Sequence, residues 1–147
     1  MSVRIVVTAV VSALVLGSVN FASQAATLDY DYFKAKVQPI FLTKRPGHAR
    51  CVMCHADANN MLRLQKLPEG QTAWSEDDTR KNFDTVSKIV SAVDDPLTAK
   101  ILLHPLAPEA GGDAFHSGGR QFANKNDPLW KTIAAWANGA TLTSSKK

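Results

Sequence analysis

Cys51-Val52-Met53-Cys54-His55 is the stretch on which the reading of this chain turns, and it contains both of its cysteines. Cys-x-x-Cys-His is the spacing by which a c-type haem is attached. The chemistry explains the spacing. Thiols separated by two residues on one helical turn can each form a thioether with a haem vinyl group, and the adjacent imidazole then arrives under the iron as its proximal ligand. The motif therefore predicts Cys51 and Cys54 as covalent anchors of one haem c, and His55 as the proximal iron ligand.

Other uses of paired cysteines compete with this reading. A thioredoxin-like redox pair also uses Cys-x-x-Cys, but it needs strand–helix alternation around the motif, and no stretch of this chain alternates with the period of two that a strand requires. A disulfide across so short a loop would constrain little of the unfolded chain. A structural zinc site wants four ligands, commonly with a second cysteine pair, and there is none.

Upstream, the chain opens like an export signal. Arg4 is a positive n-region, Ile5 to Val19 an apolar core, and Ala22-Ser23-Gln24-Ala25-Ala26 a small-residue cleavage site. Residues 1–25 are read as a signal peptide and 26–147 as one domain, a common single-domain size. The rival, an uncleaved anchor, is disfavoured because the apolar core falls short of the ~20 residues a bilayer span needs. No later stretch is apolar for long enough to span a membrane. The formal charge of +4 becomes +3 when Arg4 leaves, and two haem propionates bring it near +1. Lys and Arg are spread out, with no dense run beyond Lys146-Lys147, so the basicity does not mark a nucleic-acid binder.

Downstream and around the motif the pattern is helical. Tyr30 to Phe41 predicts a first helix, with Phe33, Val37 and Ile40 at helical spacing and Pro39 bending or ending it. Pro46-Gly47 marks a turn, and Leu67 to Ser75 a loop. Asp77, Asp78 and Thr79 predict a helix start, followed by an apolar face of Phe83, Val86, Ile89, Val90 and Val93. Asp95-Pro96 starts another helix, running to Leu103 or His104 before Pro105. Pro108 to Gly119 reads as a glycine-rich loop. Asp127-Pro128 opens the last helix, carrying Leu129, Trp130, Ile133 and Trp136, with Gly139 as its stop. The fold class expected is all-α, a small helical domain with long loops wrapped around the covalent haem.

Together, Val37-Gln38-Pro39-Ile40-Phe41, the cysteine–histidine motif and the closing helix with Trp130, Ile133 and Trp136 resemble a mono-haem c-type cytochrome with a class I-like cytochrome c domain. Asp95 to Leu103 followed by His116-Ser117-Gly118-Gly119 is similar to variants of the planctomycete and acidobacterial type. The resemblance implies crossed first and last helices, setting Phe33 and Val37 against Trp130, Ile133 or Trp136. It also implies a distal methionine downstream of the motif, and here the chain departs. Its methionines are Met1, Met53 and Met61. Met53 lies between the anchoring cysteines, and Met61 is too close behind His55 to travel round the porphyrin rim.

The remaining candidates for the sixth iron position are His48, His104 and His116, the other reading being that no side chain fills it. His48 is tethered near the proximal side. His104 closes a helix, where a cation meets the helix C-terminus favourably. His116 sits among Gly111, Gly112, Gly118 and Gly119, whose backbone can approach a flat macrocycle closely. His116 is the preferred distal ligand, with His104 as the alternative. A filled sixth position leaves no place for substrate, so the expected task is single-electron transfer between redox partner proteins in the periplasm or another exported setting, as a shuttle or as a subunit of a larger oxidoreductase. No acid–base pair or nucleophile arrangement points to an enzyme. The alternative is a five-coordinate haem protein that binds a small gas or reduces peroxide.

Overall fold

The computed structural model describes residues 27–56 and 58–143. The export signal read over residues 1–25 and the pair Lys146-Lys147 therefore lie outside the described residues. Among the described residues the structure is helical, and paired extended backbone is confined to an isolated parallel bridge between Leu106 and Phe122. No described helix is long and apolar enough to cross a membrane.

The first helical stretch runs from Tyr30 to Leu42 but changes pitch twice. It opens as an α-turn, α1 (Tyr30–Tyr32), capped by the Asp29 carboxylate on the Tyr32 N–H. It widens to a π-turn over Phe33–Val37 and tightens to a 3₁₀ turn over Gln38–Leu42. Pro39 is the physical cause. It has no N–H to give, and its ring would strike the carbonyl four residues back in a regular α-helix. Re-pitching to i+5 before it and i+3 after it lets the chain stay helical past the proline, so Pro39 neither ends the stretch nor closes it at Phe41.

Helix α2 (Cys51–His55) is the short motif helix. Helix α3 (Glu76–Ser91) starts one residue before the expected acidic cluster, because Ser75 is the cap and accepts from the Asp78 N–H at 3.2 Å. Thr79 is not a cap at all. It is buried in the face that α3 turns inward, together with Asn82, Val86, Ile89 and Val90, and Phe83 sits at that face's margin. The helix expected from Asp95 to Leu103 or His104 is broken in two. Asp95 caps a 3₁₀ turn over Pro96–Thr98, Ala99 is extended, and α4 (Lys100–Leu103) follows. The glycine-rich segment carries a further 3₁₀ turn at Pro108–Ala110.

Helix α5 (Pro128–Ala137) is capped by Asp127, whose carboxylate accepts from Leu129 and Trp130. It ends where Gly139 takes φ 86°, with Gly139 and Ala140 N–H groups returning to the Trp136 and Ala135 carbonyls. That pairing is a Schellman stop, which a left-handed glycine makes cheap. Against α5 packs the π-turn: Phe33 and Trp136 have ring centroids 5.3 Å apart, and Phe83 lies within 5.4 Å of Phe33. The Trp136 indole N–H donates to the Asp29 carbonyl at 2.8 Å, so the first and last helical stretches are joined by one polar bond through an apolar contact. Trp130 donates likewise to the Leu102 carbonyl, tying α5 to α4. These elements frame one open side, where α2, α4 and the glycine-rich loop converge.

Candidate functional site

That open side is a cavity of about 430 Å³. Ile40, Phe41, Leu62, Ile101, Phe122 and Ile133 give it an apolar wall, and Cys51, Cys54, His55, His104 and His116 give it its chemistry. The structure thus brings the motif and both distal candidates to one place. Cys51 is half-buried and Cys54 exposed, and both carry free thiols; burial pushes the Cys51 thiol upward. Met61 lines the same mouth with its side chain largely in solvent. Met53 lies on the opposite side of α2, beside a separate groove with Val52 and Ala56. His48 does not line the cavity; its ring packs against Gly119.

His55 and His116 face each other. Their ring centroids are 6.3 Å apart and their planes differ by 17°. Each ring is oriented by its other nitrogen. His55 Nδ1 lies 2.8 Å from the Leu62 carbonyl, and His116 Nδ1 lies 2.6 Å from the Gly119 carbonyl. A carbonyl oxygen only accepts, so both Nδ1 atoms carry a proton, and it is in the neutral form of each ring that Nε2 keeps its lone pair. Burial pushes the His116 pKa below the ordinary imidazole value, the Gly119 bond opposes this, and nearby His104 and His55 reinforce it. The net lowering favours the neutral form of His116, the form that can act as a ligand.

His104 has a different environment. It caps the C-terminal end of α4, as its sequence position implied, and its Nδ1 is in a short contact with the Asp113 carboxylate. Lys100 reaches the same carboxylate at 2.9 Å. The bonds from His104 and Lys100 hold Asp113 below the usual carboxylate range. The His104 ring meets His116 edge-on, at 5.4 Å between centroids and 65° between planes. It stands beside His116 at the cavity wall, about half exposed.

The supports of the two facing imidazoles are mostly residues that sequence periodicity passes over. The Leu62 carbonyl is held over His55 because Leu64 N–H returns to the His55 carbonyl, and Gln65 N–H donates to the Asn82 side chain at 2.8 Å. Asn82 in turn donates to Gln38, and Gln38 to Thr79, so a buried polar chain links the first helix, α3 and the segment after the motif. The signal for it is a polar pair, Thr79 and Asn82, standing in register with Val86 on an otherwise apolar stripe. On the other side, a Cβ on Gly118 would come within 3.1 Å of the His116 ring. Glycine there is a matter of close approach to the His116 ring itself.

Among the described residues, no group of three or more His, Cys, Asp or Glu side chains is arranged to hold a bare metal ion. Comparison with models of protein families, with curated proteins and with solved structures finds no match.

Proposed function

We propose that this chain is an exported mono-haem c-type cytochrome that carries single electrons between redox partner proteins. Cys51 and Cys54 would hold the haem as thioethers, His55 would be the proximal iron ligand and His116 the sixth. The observation that carries the proposal is the facing pair of imidazoles beside the two thiols. Two imidazoles sharing one metal through Nε2 have centroids about 6.2 Å apart, from a metal–nitrogen bond of about 2.0 Å and a ring centre about 1.1 Å behind the nitrogen. The observed separation is 6.3 Å. The cavity is also of cofactor size, within the range of about 300–1,000 Å³ usual for buried ligands, and its wall is apolar.

Bound there, the haem would supply reversible one-electron chemistry at its iron. The chain's own residues do the rest. The Leu62 and Gly119 carbonyls lock both rings in the tautomer that leaves Nε2 free, a support of the kind that raises ligand basicity. Ile40, Phe41 and Ile133 exclude water from one side of the cavity. A histidine pair favours a lower reduction potential than histidine–methionine ligation.

Replacement tests the assignment. In protein exported by a host that attaches haem c, His116→Ala is expected to change a low-spin spectrum to one that shifts with carbon monoxide. His104→Ala is expected to leave it low-spin. The reverse pattern would transfer the ligand role to His104, and a wild-type spectrum that already shifts with carbon monoxide would favour a gas-binding or peroxide-reducing protein.

A further inference from the structure

Gln121 is a buried polar side chain that neither helical periodicity nor the motif accounts for, exposed to only 5%. Its Nε2 lies 3.1 Å from the Ala49 carbonyl and 3.3 Å from the Gly118 carbonyl. Both neighbours are acceptors, so the amide must turn its NH₂ toward them. Gly118 belongs to the tight turn in which Gly119 N–H returns to the His116 carbonyl and the Gly119 carbonyl accepts from His116 Nδ1. Ala49 is two residues before Cys51. One side chain therefore bonds the turn that carries His116 and the backbone that leads into the motif helix.

From the lead-in, the His48 ring also packs against Gly119 and the Arg45 guanidinium lies over the Phe122 ring, but neither contact is a hydrogen bond to the His116 turn. Two further supports of this loop act elsewhere. Phe122 N–H and its carbonyl pair with Pro105 and Ala107, which anchors the loop to the end of α4. Arg120 reaches the His104 and Ala114 carbonyls from the solvent side. Neither contact spans to the cysteine side of the cavity.

We infer that Gln121 is the positioning residue that holds His116 at its separation from His55, by clamping the His116 turn to the lead-in of the motif. The inference rests on the function proposed above, since it is the sixth iron position that Gln121 would keep closed. Without the clamp, the His116 turn would swing on its Pro105–Ala107 anchor, and His116 would hold the sixth position for less of the time.

The experiment compares the wild type with Gln121→Met, which keeps length and loses both donors, and Gln121→Glu, which presents carboxylate oxygens to two carbonyls. Val90→Ala, a buried change in α3 away from the cavity, controls for loss of stability. Carbon monoxide binding to reduced, haem-loaded protein is the readout, well below each variant's melting temperature. Apparent affinity scales with the fraction of molecules in the competent state, so a rise in open sites from about 1% to 10% raises it about tenfold. Both Gln121 variants are expected to gain about tenfold or more, and Val90→Ala to stay inert. Gln121 variants as inert as the wild type would overturn the inference while leaving the proposed function standing. A wild type that binds carbon monoxide as readily as the Gln121 variants would overturn both. Should neither variant load haem, the side-chain amide protons of Gln121 in the wild type decide. Slow exchange with solvent is expected, and exchange at the rate of a free glutamine would overturn the clamp.

Discussion

Replacing Asp127 separates two contributions that one carboxylate makes to holding the site's frame together. Its Oδ1 caps α5 through the Leu129 N–H at 2.9 Å. Both oxygens face the Arg45 guanidinium, at 2.5 and 3.3 Å, and that guanidinium lies over the Phe122 ring. Arg45 precedes the motif, so the pair joins the lead-in to Cys51 to the start of the closing helix. The cap is worth about 1 kcal/mol, and hydrogen bonds to a charged partner about 1.5–3 kcal/mol. The side chains are only 14% and 25% exposed, so solvent screening does not remove the second contribution. Asp127→Ala should then cost about 3 kcal/mol, and Asp127→Asn, which still caps, about 1–2 kcal/mol. At roughly 4 °C per kcal/mol for a domain of this size, the alanine variant melts about 12 °C lower.

The pH dependence follows from the direction of the shift. Burial pushes the Asp127 carboxyl up, but Arg45 and the two backbone N–H groups outweigh it, and the net result is a lowered pKa. A carboxyl lowered on folding stabilises fully above its unfolded value of about 3.9, and the gain is lost as pH falls through the folded value. Wild type and Asp127→Asn should therefore differ by a constant amount above about pH 5 and converge in more acidic solution. Urea unfolding of the single variants, Arg45→Met and the double variant gives the coupling energy. A coupling below about 0.5 kcal/mol, or an asparagine variant as unstable as the alanine one, would refute the two-part account.

Two further outcomes concern the frame. Gly112→Ala should destabilise severely, because its Cβ would stand 2.0 Å from the Leu106 carbonyl oxygen, a backbone atom that cannot yield; Gly47→Ala meets open space and should cost only the strain of its positive φ, about 1–2 kcal/mol. Thermal melts that rank the two the other way would contradict the packing described. Ser75→Ala should lower stability by about 1 kcal/mol through loss of the α3 cap, and Ser75→Asp should restore it to within a few tenths; equal unfolding midpoints for all three proteins would contradict that capping role.

The legible parts of this chain are those in which the signal is local. Asp95 and Asp127 each precede a proline and each cap the turn that follows, because Asp-Pro presets both the acceptor and the backbone angle. The resemblance implied that Phe33 and Val37 would meet Trp130, Ile133 or Trp136, and Phe33 does meet Trp136. Periodicity said less where the chain changes pitch. Nothing in the spacing distinguishes a π-turn at Phe33–Val37 from an α-helix, nor reveals the break at Ala99 that splits the Asp95–His104 stretch. Ser75 does not stand out as the cap because Asp77, Asp78 and Thr79 follow close behind it, and any of these three would serve chemically.

The site divides in the same way. Cys51, Cys54 and His55 announce themselves by spacing, whereas the close approach of Gly118 to the His116 ring is visible only in the structure. The side chains that fix the facing rings do not announce themselves. Gln38, Thr79, Asn82 and Gln121 act through bonds between residues as far as 72 positions apart, and such partners depend on the three-dimensional packing rather than on any local pattern. The carbonyls of Leu62 and Gly119 carry no side-chain identity at all, so no sequence motif could have assigned them.

The most direct test of the central claim is the absorption spectrum of the wild-type chain, exported in a host that attaches haem c and recorded oxidised, reduced and reduced with carbon monoxide. The account predicts one covalently bound haem per chain with a low-spin spectrum in both redox states, unmoved by the gas. A colourless protein, or a high-spin spectrum that shifts when carbon monoxide is added, would contradict it.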